Sequence, residues 1–263
     1  MLKIKINTTG LIVFLLFLLS CSQPNPSNLQ MLTQTTGVIG TNCYLIYDTQ
    51  SREAALIDPG DTIPKLLAHI EKENLDLRYI LVTHCHPDHI YGFYTMHLRD
   101  KFPDAKVCFS VEELEDMTKI VSKWKEAYPD EVSQEIQNSP VFLELFNMDY
   151  STIGQPDIYV EDGQKLPLGD FEITAIKTPG HAHGSICFHV NNNLFSGDEL
   201  IYHGVGGTKT SPAASFDAQV KSIRRLYTEL PDETVVYPGH GKSTTIGEEK
   251  KENKNITLSK ALQ

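Results

Sequence analysis

Apolar residues along this chain fall into short runs whose spacing switches between strand-like and helix-like. CYLIYD and AALIDPG are β-prone runs separated by the polar turn TQSRE, and they place the start of the folded body near Met31. In TIPKLLAHIEKEN, Ile63, Leu66, Leu67 and Ile70 share one face of a helix. RYILVT is apolar almost without interruption, as a buried strand is. A histidine-rich loop follows, then IYGFYTMHLRDKF, which reads as a helix stopped by Pro103. KVCFS is another strand. Residues 111–150 differ in character: charge and helical spacing in VEELEDMTKIVSKWKEAY predict a helical insertion, followed by a mobile loop, NMDYSTIGQP. Strands return in IYVEDGQKL, FEITAIKT, SICFHV and NLFSG, with turns at DG, LGD and NNN. ASFDAQVKSIRRLYTEL is a helix ahead of the last strand, TVVYPGHG, and the polar tail from Thr244 is expected to close against the body. Strands and helices alternate, so the expected class is α/β, with helices covering the outer faces of the sheets. No short-period repeat divides residues 31–263, which read as one domain.

The N-terminus is of another kind. Lys3 and Lys5 precede the apolar run Leu11–Leu19, and together they describe a secretory signal over residues 1–20. The run is shorter than the ~20 apolar residues a spanning helix needs. The stretch LLSC resembles the lipobox of bacterial lipoproteins, which implies cleavage before Cys21 and lipidation of that cysteine. Residues 21–30 then form a polar tether. The expected location is the bacterial cell envelope, with a periplasmic or outer membrane reached through the lipid. A plain cleavable signal or an uncleaved anchor is the alternative.

Of the 263 residues 40% are hydrophobic, enough for a sizeable core. Acidic residues outnumber basic ones 34 to 23, for a formal charge of −11. Most of that surface repels a phosphate backbone, so no nucleic-acid partner is expected and a small-molecule substrate is. Cys43, Cys85, Cys108 and Cys187 form no CxxC pair and no compact disulfide spacing. Cys43, Cys85 and Cys187 read as packing residues, and the sequence names no disulfide.

Candidate chemistry sits at four strand ends, each a Gly- or Pro-rich turn carrying metal-type ligands: VTHCHPDH, TPGHAHGS, FSGDEL and YPGHG. The candidates are His84, His86, Asp88, His89, His181, Asp198 and His240. Loops at strand ends bring distant residues together on a rigid edge. Neutral imidazoles and carboxylates suit zinc, and iron or manganese accept the same donors. His69, His97 and His189 stand singly in helices or a strand and read as structural. His183 either lines the site or lies exposed, and Tyr202 and His203 read as loop packing rather than substrate contacts.

HxHxDH followed in order by TPGH, SGD and PGHG resembles the metallo-β-lactamase-fold hydrolases, most of all their glyoxalase II (hydroxyacylglutathione hydrolase) branch. The likeness runs from about Met31 to Ile256, and LPDETVVYPGHGKSTTIGEEKKEN is similar to the end of short glyoxalase II-like proteins. It implies a four-layer αββα sandwich with the metal site on one edge. Position by position, it implies one divalent ion on His84, His86 and His181 and a second on Asp88, His89 and His240, with Asp198 bridging both. It also implies that Asp88 orients a metal-bound hydroxide, and that Asp58 gives its carboxylate to a ligand histidine. An ordinary turn-forming aspartate before Pro59 is the alternative for Asp58.

The implied activity is hydrolysis of a carbonyl ester-type bond, a thioester first. A lactonase, a persulfide dioxygenase using one iron, and a lipid-anchored metal-binding protein are the other readings; an aspartate at position 198 disfavours a true β-lactamase. Two departures count against glutathione thioesters. GVGGTK places Gly207 where the branch has arginine, and the chain ends soon after His240, without the basic helical domain that holds glutathione. The insertion at 111–150 is expected to cover the substrate pocket instead.

Overall fold

The computed structural model describes residue 25 and residues 28–127 and 138–256. The secretory signal, Cys21 and much of the tether lie outside the described residues. One sheet runs β1 (Leu29–Thr36), β2 (Thr41–Asp48), β3 (Glu53–Ile57), β4 (Asp76–Leu81), β5 (Lys106–Phe109), β6 (Ile158–Tyr159). The other runs β7 (Lys165–Leu168), β8 (Phe171–Lys177), β9 (Ile186–Val190), β10 (Asn193–Gly197), β11 (Val235–Pro238), β12 (Thr244–Thr245). Both sheets are mixed: β3 to β6 pair in parallel, as do β10 and β11, and the remaining neighbours are antiparallel.

Strand alternation builds three apolar layers. Along β2, Tyr44 and Ile46 face the second sheet and meet Phe188 and Phe195. Their neighbours Cys43 and Leu45 face the other way. That outer layer is closed by α1 (Pro64–Lys72), α2 (Pro87–Ile90), α3 (Gly92–Thr95), α4 (Leu98–Lys101), α5 (Val111–Asp116), α6 (Ile120–Ala127) and α7 (Pro140–Phe146). On the far side, Cys187, Leu194 and Val236 pack under α8 (Phe216–Glu229) and α9 (Ile246–Glu252). Helix α8 starts where Ser215 Oγ accepts the Ala218 N–H at 3.3 Å, and it buries Ile223, Leu226 and Tyr227 on one stripe. Each fully buried Leu, Ile or Phe in these layers contributes about 1.5–3 kcal/mol against exposure. The result is the four-layer αββα sandwich. Among the described residues no helix is long and apolar enough to cross a membrane.

Several local expectations need correction. The first strand begins at Leu29, paired with Asp48, so the sheet takes in the last two residues assigned to the tether. The helix expected through IYGFYTMHLRDKF is broken by His97, whose φ of +49° is left-handed. Phe93 and Leu98 are both buried, and a spacing of five does not share one helical face; the break turns both inward. The two halves of IYVEDGQKL belong to different sheets, because the DG turn carries the chain across the sandwich. NMDYSTIGQP is packed rather than loose. Met148 and Ile153 are buried, and Arg99 donates to Ile153 O, to Gln155 O and, at 2.9 Å, to Asp157.

The tail closes against the body as far as Ile256, the last residue described. In α9 the buried Glu249 accepts the His203 N–H at 2.8 Å and the Asn253 side-chain amide at 2.8 Å. Cys43, Cys85, Cys108 and Cys187 are all buried and free.

Candidate metal centre

The strand ends that carry the candidate ligands lie on one edge of the sandwich. His84 and His86 follow β4, and Pro87 then starts the single turn of α2 that presents Asp88 and His89. His181 follows β8, Asp198 follows β10 and His240 follows β11. The sheets are stitched together there: Tyr44 Oη donates to Pro238 O at 2.6 Å, and the Asn42 amide donates to Pro238 O and Gly241 O. A Cβ on Gly239 would stand 2.3 Å from Asp198 Oδ1 and 2.5 Å from His89 Cε1, so only glycine lets this strand end approach.

His84 Nε2, His86 Nδ1 and His181 Nε2 converge at 3.0–3.2 Å from one another. The other ring nitrogens of His84 and His181 decide their tautomers. His181 Nδ1 is 2.7 Å from Gly207 O, which only accepts, so the proton is on Nδ1. Thr83 Oγ1 donates to Asp58 Oδ2 at 2.7 Å, so it accepts from His84 Nδ1 at 3.1 Å. His86 Nε2 lies 2.6 Å from Ser211 Oγ, a hydroxyl that donates or accepts, and His86 Nδ1 points to the centre. The lone pairs of His84 Nε2 and His181 Nε2 therefore face one another at the meeting point, an arrangement that a cation between them stabilises. Nitrogens bound tetrahedrally at ~2.0–2.1 Å from zinc stand roughly 3.3 Å apart, close to the spacing here.

The second group is Asp88, His89 and His240. Asp88 Oδ2 is 3.4 Å from His89 Nε2 and 3.2 Å from His240 Nε2. Asp198 lies between the groups: Oδ1 is 3.6 Å from His89, and Oδ2 is 3.7 Å from His181 and 3.4 Å from His240. His89 Nε2 and Asp198 Oδ1 are buried without a hydrogen-bond partner. Orphaned buried ligand atoms of this kind are what a bound ion satisfies. The residues fit a metal: this is a metal-binding His/Asp cluster, made of His84, His86 and His181 beside Asp88, His89 and His240.

The two groups differ electrostatically. Burial, and then the neighbouring imidazoles, hold His84 well below its usual range, and burial takes His86 down to about 3. Burial likewise lowers His181. Burial also pulls on His89, but Asp88, Asp198 and Asp58 outweigh it and hold that imidazole well above its ordinary value. His240 rises to about 10, as its bonds to Asp198 and Asp88 overcome the burial penalty.

Asp58 sits at the end of β3 with φ +49°, a left-handed backbone that aspartate tolerates. Its N–H donates to Leu81 O and its carbonyl accepts from Gly60, so it does form the turn. Its carboxylate does more: Oδ2 is 3.0 Å from His89 Nδ1, and Oδ1 accepts the Thr83 N–H at 2.8 Å. One carboxylate thus holds His89 directly and His84 through Thr83.

Thr41, whose Oγ1 donates to Asp88 Oδ2 at 2.9 Å, Thr83 and Ser211 were not singled out in the sequence. Lone hydroxyl residues carry no pattern that would have marked them. His183 is not brought into the centre: it is largely exposed and pairs with Asp116. Tyr202 and His203 stack on each other, with His203 held by Glu248, which is loop packing. His69 bonds the Tyr47 hydroxyl at 3.1 Å.

Residues 36–240 match the family model of the metallo-beta-lactamase superfamily. The chain belongs to that superfamily. It is 31% identical to the hydroxyacylglutathione hydrolase GloC of Haemophilus influenzae over 215 residues, 81% of this chain and 91% of that one. Among solved structures it is similar to the BLEG-1 B3 metallo-beta-lactamase, with TM-score 0.67 and 29% identity, covering 87% of this chain and 100% of that one. It is also similar to TTHA1623, solved in a di-iron-bound form, with TM-score 0.64 and 28% identity over 86% of this chain and 100% of that one. The superfamily match spans every candidate ligand from His84 to His240.

A cavity of about 200 Å³ opens over the cluster, lined by Ile39, His86, Asp88, His181, Asp198, Gly207, Thr210 and His240. A second, of about 140 Å³, adjoins it at Asp88 and reaches Asp61, Tyr91, Glu144 and Leu145. Glu144 and Leu145 come from α7, so the insertion does supply one wall beside the centre. Among the described residues, the lining of that second cavity includes acidic groups and no lysine or arginine.

Proposed function

We propose that this protein is a hydrolase of a small-molecule thioester, working with two divalent ions, zinc first, held as His84, His86, His181 and Asp88, His89, His240, with Asp198 shared. What carries the reading is the convergence of three imidazole nitrogens, those of His84 and His181 proton-free, beside an aspartate that reaches both ligand groups. Bound there, such ions supply Lewis acidity and bring the pKa of water down toward ~7.

The chain's own residues do the remaining work. Asp88 lines both cavities and orients the attacking water, whose released proton leaves with the sulfur of the thiol product. Water adds to the thioester carbonyl carbon, the C–S bond breaks, and the products are a carboxylic acid and a thiol. Thr41 holds the Asp88 carboxylate at 2.9 Å, and Asp58 holds His89, so neither group needs to reorganise during the reaction. The cavity over the cluster, about 200 Å³, admits a small acyl group.

The number and kind of ions held at the two ligand groups separate hydrolysis from a one-iron dioxygenase reaction. Screening thioesters, lactones and β-lactams with zinc-loaded protein tests the reading. Thioester turnover with about two zinc per chain is expected; one iron per chain with oxygen uptake would replace it with the dioxygenase.

Glutathione thioesters are a weaker choice than simpler acyl thioesters. The match to a relative named as a hydroxyacylglutathione hydrolase covers 91% of that protein, so a further C-terminal domain does not bear on this choice. Gly207 does bear on it: it lines the cavity and offers no side-chain charge to a substrate carboxylate.

The lipid anchor at Cys21 is proposed from LLSC alone. Cys21→Ser is expected to move the protein from the membrane fraction to the soluble one, and unchanged fractionation would remove the anchor.

A further inference from the structure

Helix α5, at the root of the insertion, touches both loops that carry the all-histidine group. Glu113 is 1% exposed, and its two carboxylate oxygens are used separately. Oε2 accepts the N–H of Cys85 at 2.6 Å, and Oε1 accepts the N–H of Gly184 at 2.8 Å. Cys85 lies between His84 and His86, and Gly184 lies three residues after His181. The same helix makes two further close approaches. Its capping residue Ser110 donates from Oγ to Gly184 O at 2.9 Å, and Asp116 stands 3.3 Å from His183 Nδ1. A Cβ on Gly184 would be 2.0 Å from Ser110 Oγ, so this loop lies directly on α5.

We propose that Glu113 is a positioning residue for the metal centre: it ties the loop of His84 and His86 to the loop of His181, fixing the spacing of their ligand nitrogens. This rests on the metal-centre reading above. A buried carboxylate is costly unless its oxygens are satisfied, and here backbone N–H groups of two different loops satisfy them. Burial pushes its pKa up, and those two donors work against the rise. An amide cannot replace it. Glutamine offers one accepting oxygen and one NH2, and the NH2 would face an N–H donor whichever way it turned. Glu112, its neighbour, makes a different contact: it pairs with Lys177 of β8 at 3.0 Å and anchors α5 without touching either ligand loop.

Cobalt(II), whose visible spectrum reports ligand geometry, tests the proposal by titration against a competing chelator in wild type, Glu113→Gln and Glu112→Gln. Glu113→Gln is expected to weaken the first ion about ten- to a hundredfold, the range for groups that orient ligands, and to alter its spectrum. Glu112→Gln should match wild type in both. Wild-type affinity and spectrum in Glu113→Gln, or an equal loss in Glu112→Gln, would overturn the positioning role while leaving the metal reading intact. Wild-type protein that bound no cobalt or zinc would instead remove the metal reading, and this inference with it. Amide exchange in the wild-type protein needs no variant: Cys85 and Gly184 should exchange as slowly as the sheet core, and fast exchange at either would also overturn it.

Discussion

The two ligand groups of this centre are built on opposite principles. His84, His86 and His181 are kept neutral by burial, and one ring nitrogen of each already faces a common point. His89 and His240 stand among Asp58, Asp88 and Asp198, and without a metal those carboxylates hold protons on the imidazoles. One group binds by shape and the other by charge. Asp198 belongs to both, so the contrast also predicts how the halves respond when disturbed.

Removing a shared or central ligand has the largest effect. Asp198→Ala is expected to weaken both ions and abolish turnover. His86→Ala should abolish turnover while costing mainly the ion of its own group. Metal analysis after dialysis separates the two, and turnover by metal-depleted His86→Ala protein would break the mechanism.

Proton release comes next. His240 titrates near 10 in the metal-free site and His89 is held high as well, so at pH 7 an ion entering that group must displace their protons. His86, at about 3, has none to lose. Lowering the pH from 8 to 6 should therefore weaken the second ion about tenfold per displaced proton per pH unit and leave the first nearly unchanged. Calorimetry in buffers of different ionisation enthalpy reads this directly. Equal proton release for both ions would erase the distinction.

A smaller effect is expected from Asp58→Asn, which keeps the turn but weakens the hold on His89 and, through Thr83, on His84. Loss of metal affinity or activity should be about ten- to a hundredfold, greater for the acid-rich group. Metal content and rate both unchanged would leave Asp58 only its turn.

The smallest change concerns substrate choice. A Cβ on Gly207 meets nothing within 4 Å, so a side chain fits there, and the carbonyl that holds His181 stays in place. Gly207→Arg is expected to raise kcat/KM for a glutathione thioester about tenfold, as a charge-assisted bond would, without altering a short neutral thioester. No gain would show that glutathione recognition does not pass through position 207.

The ligands were legible because most of them crowd into VTHCHPDH or stand on glycine turns, where packing gives no reason for histidine or aspartate. Their division into two groups came from likeness to a family rather than from spacing. Glu113 could not be read at all: in VEELEDM nothing separates it from Glu112 or Glu115, since a charged amphipathic helix looks the same whether a glutamate meets solvent or a buried loop. The break at His97 was hidden for a related reason, because no Gly or Pro marks it and only the burial of both Phe93 and Leu98 requires it.

From sequence alone came the alternation of strands and helices, the apolar faces they bury and the chemical kind of residue waiting at each strand end, because these depend on neighbours a few positions away. Tertiary structure decided which ring nitrogen faces the centre, which histidines stay neutral and which glutamate joins two loops. Those outcomes depend on dielectric, charge and hydrogen-bond partners delivered by segments far apart in the chain. Local pattern carries no record of such distant neighbours.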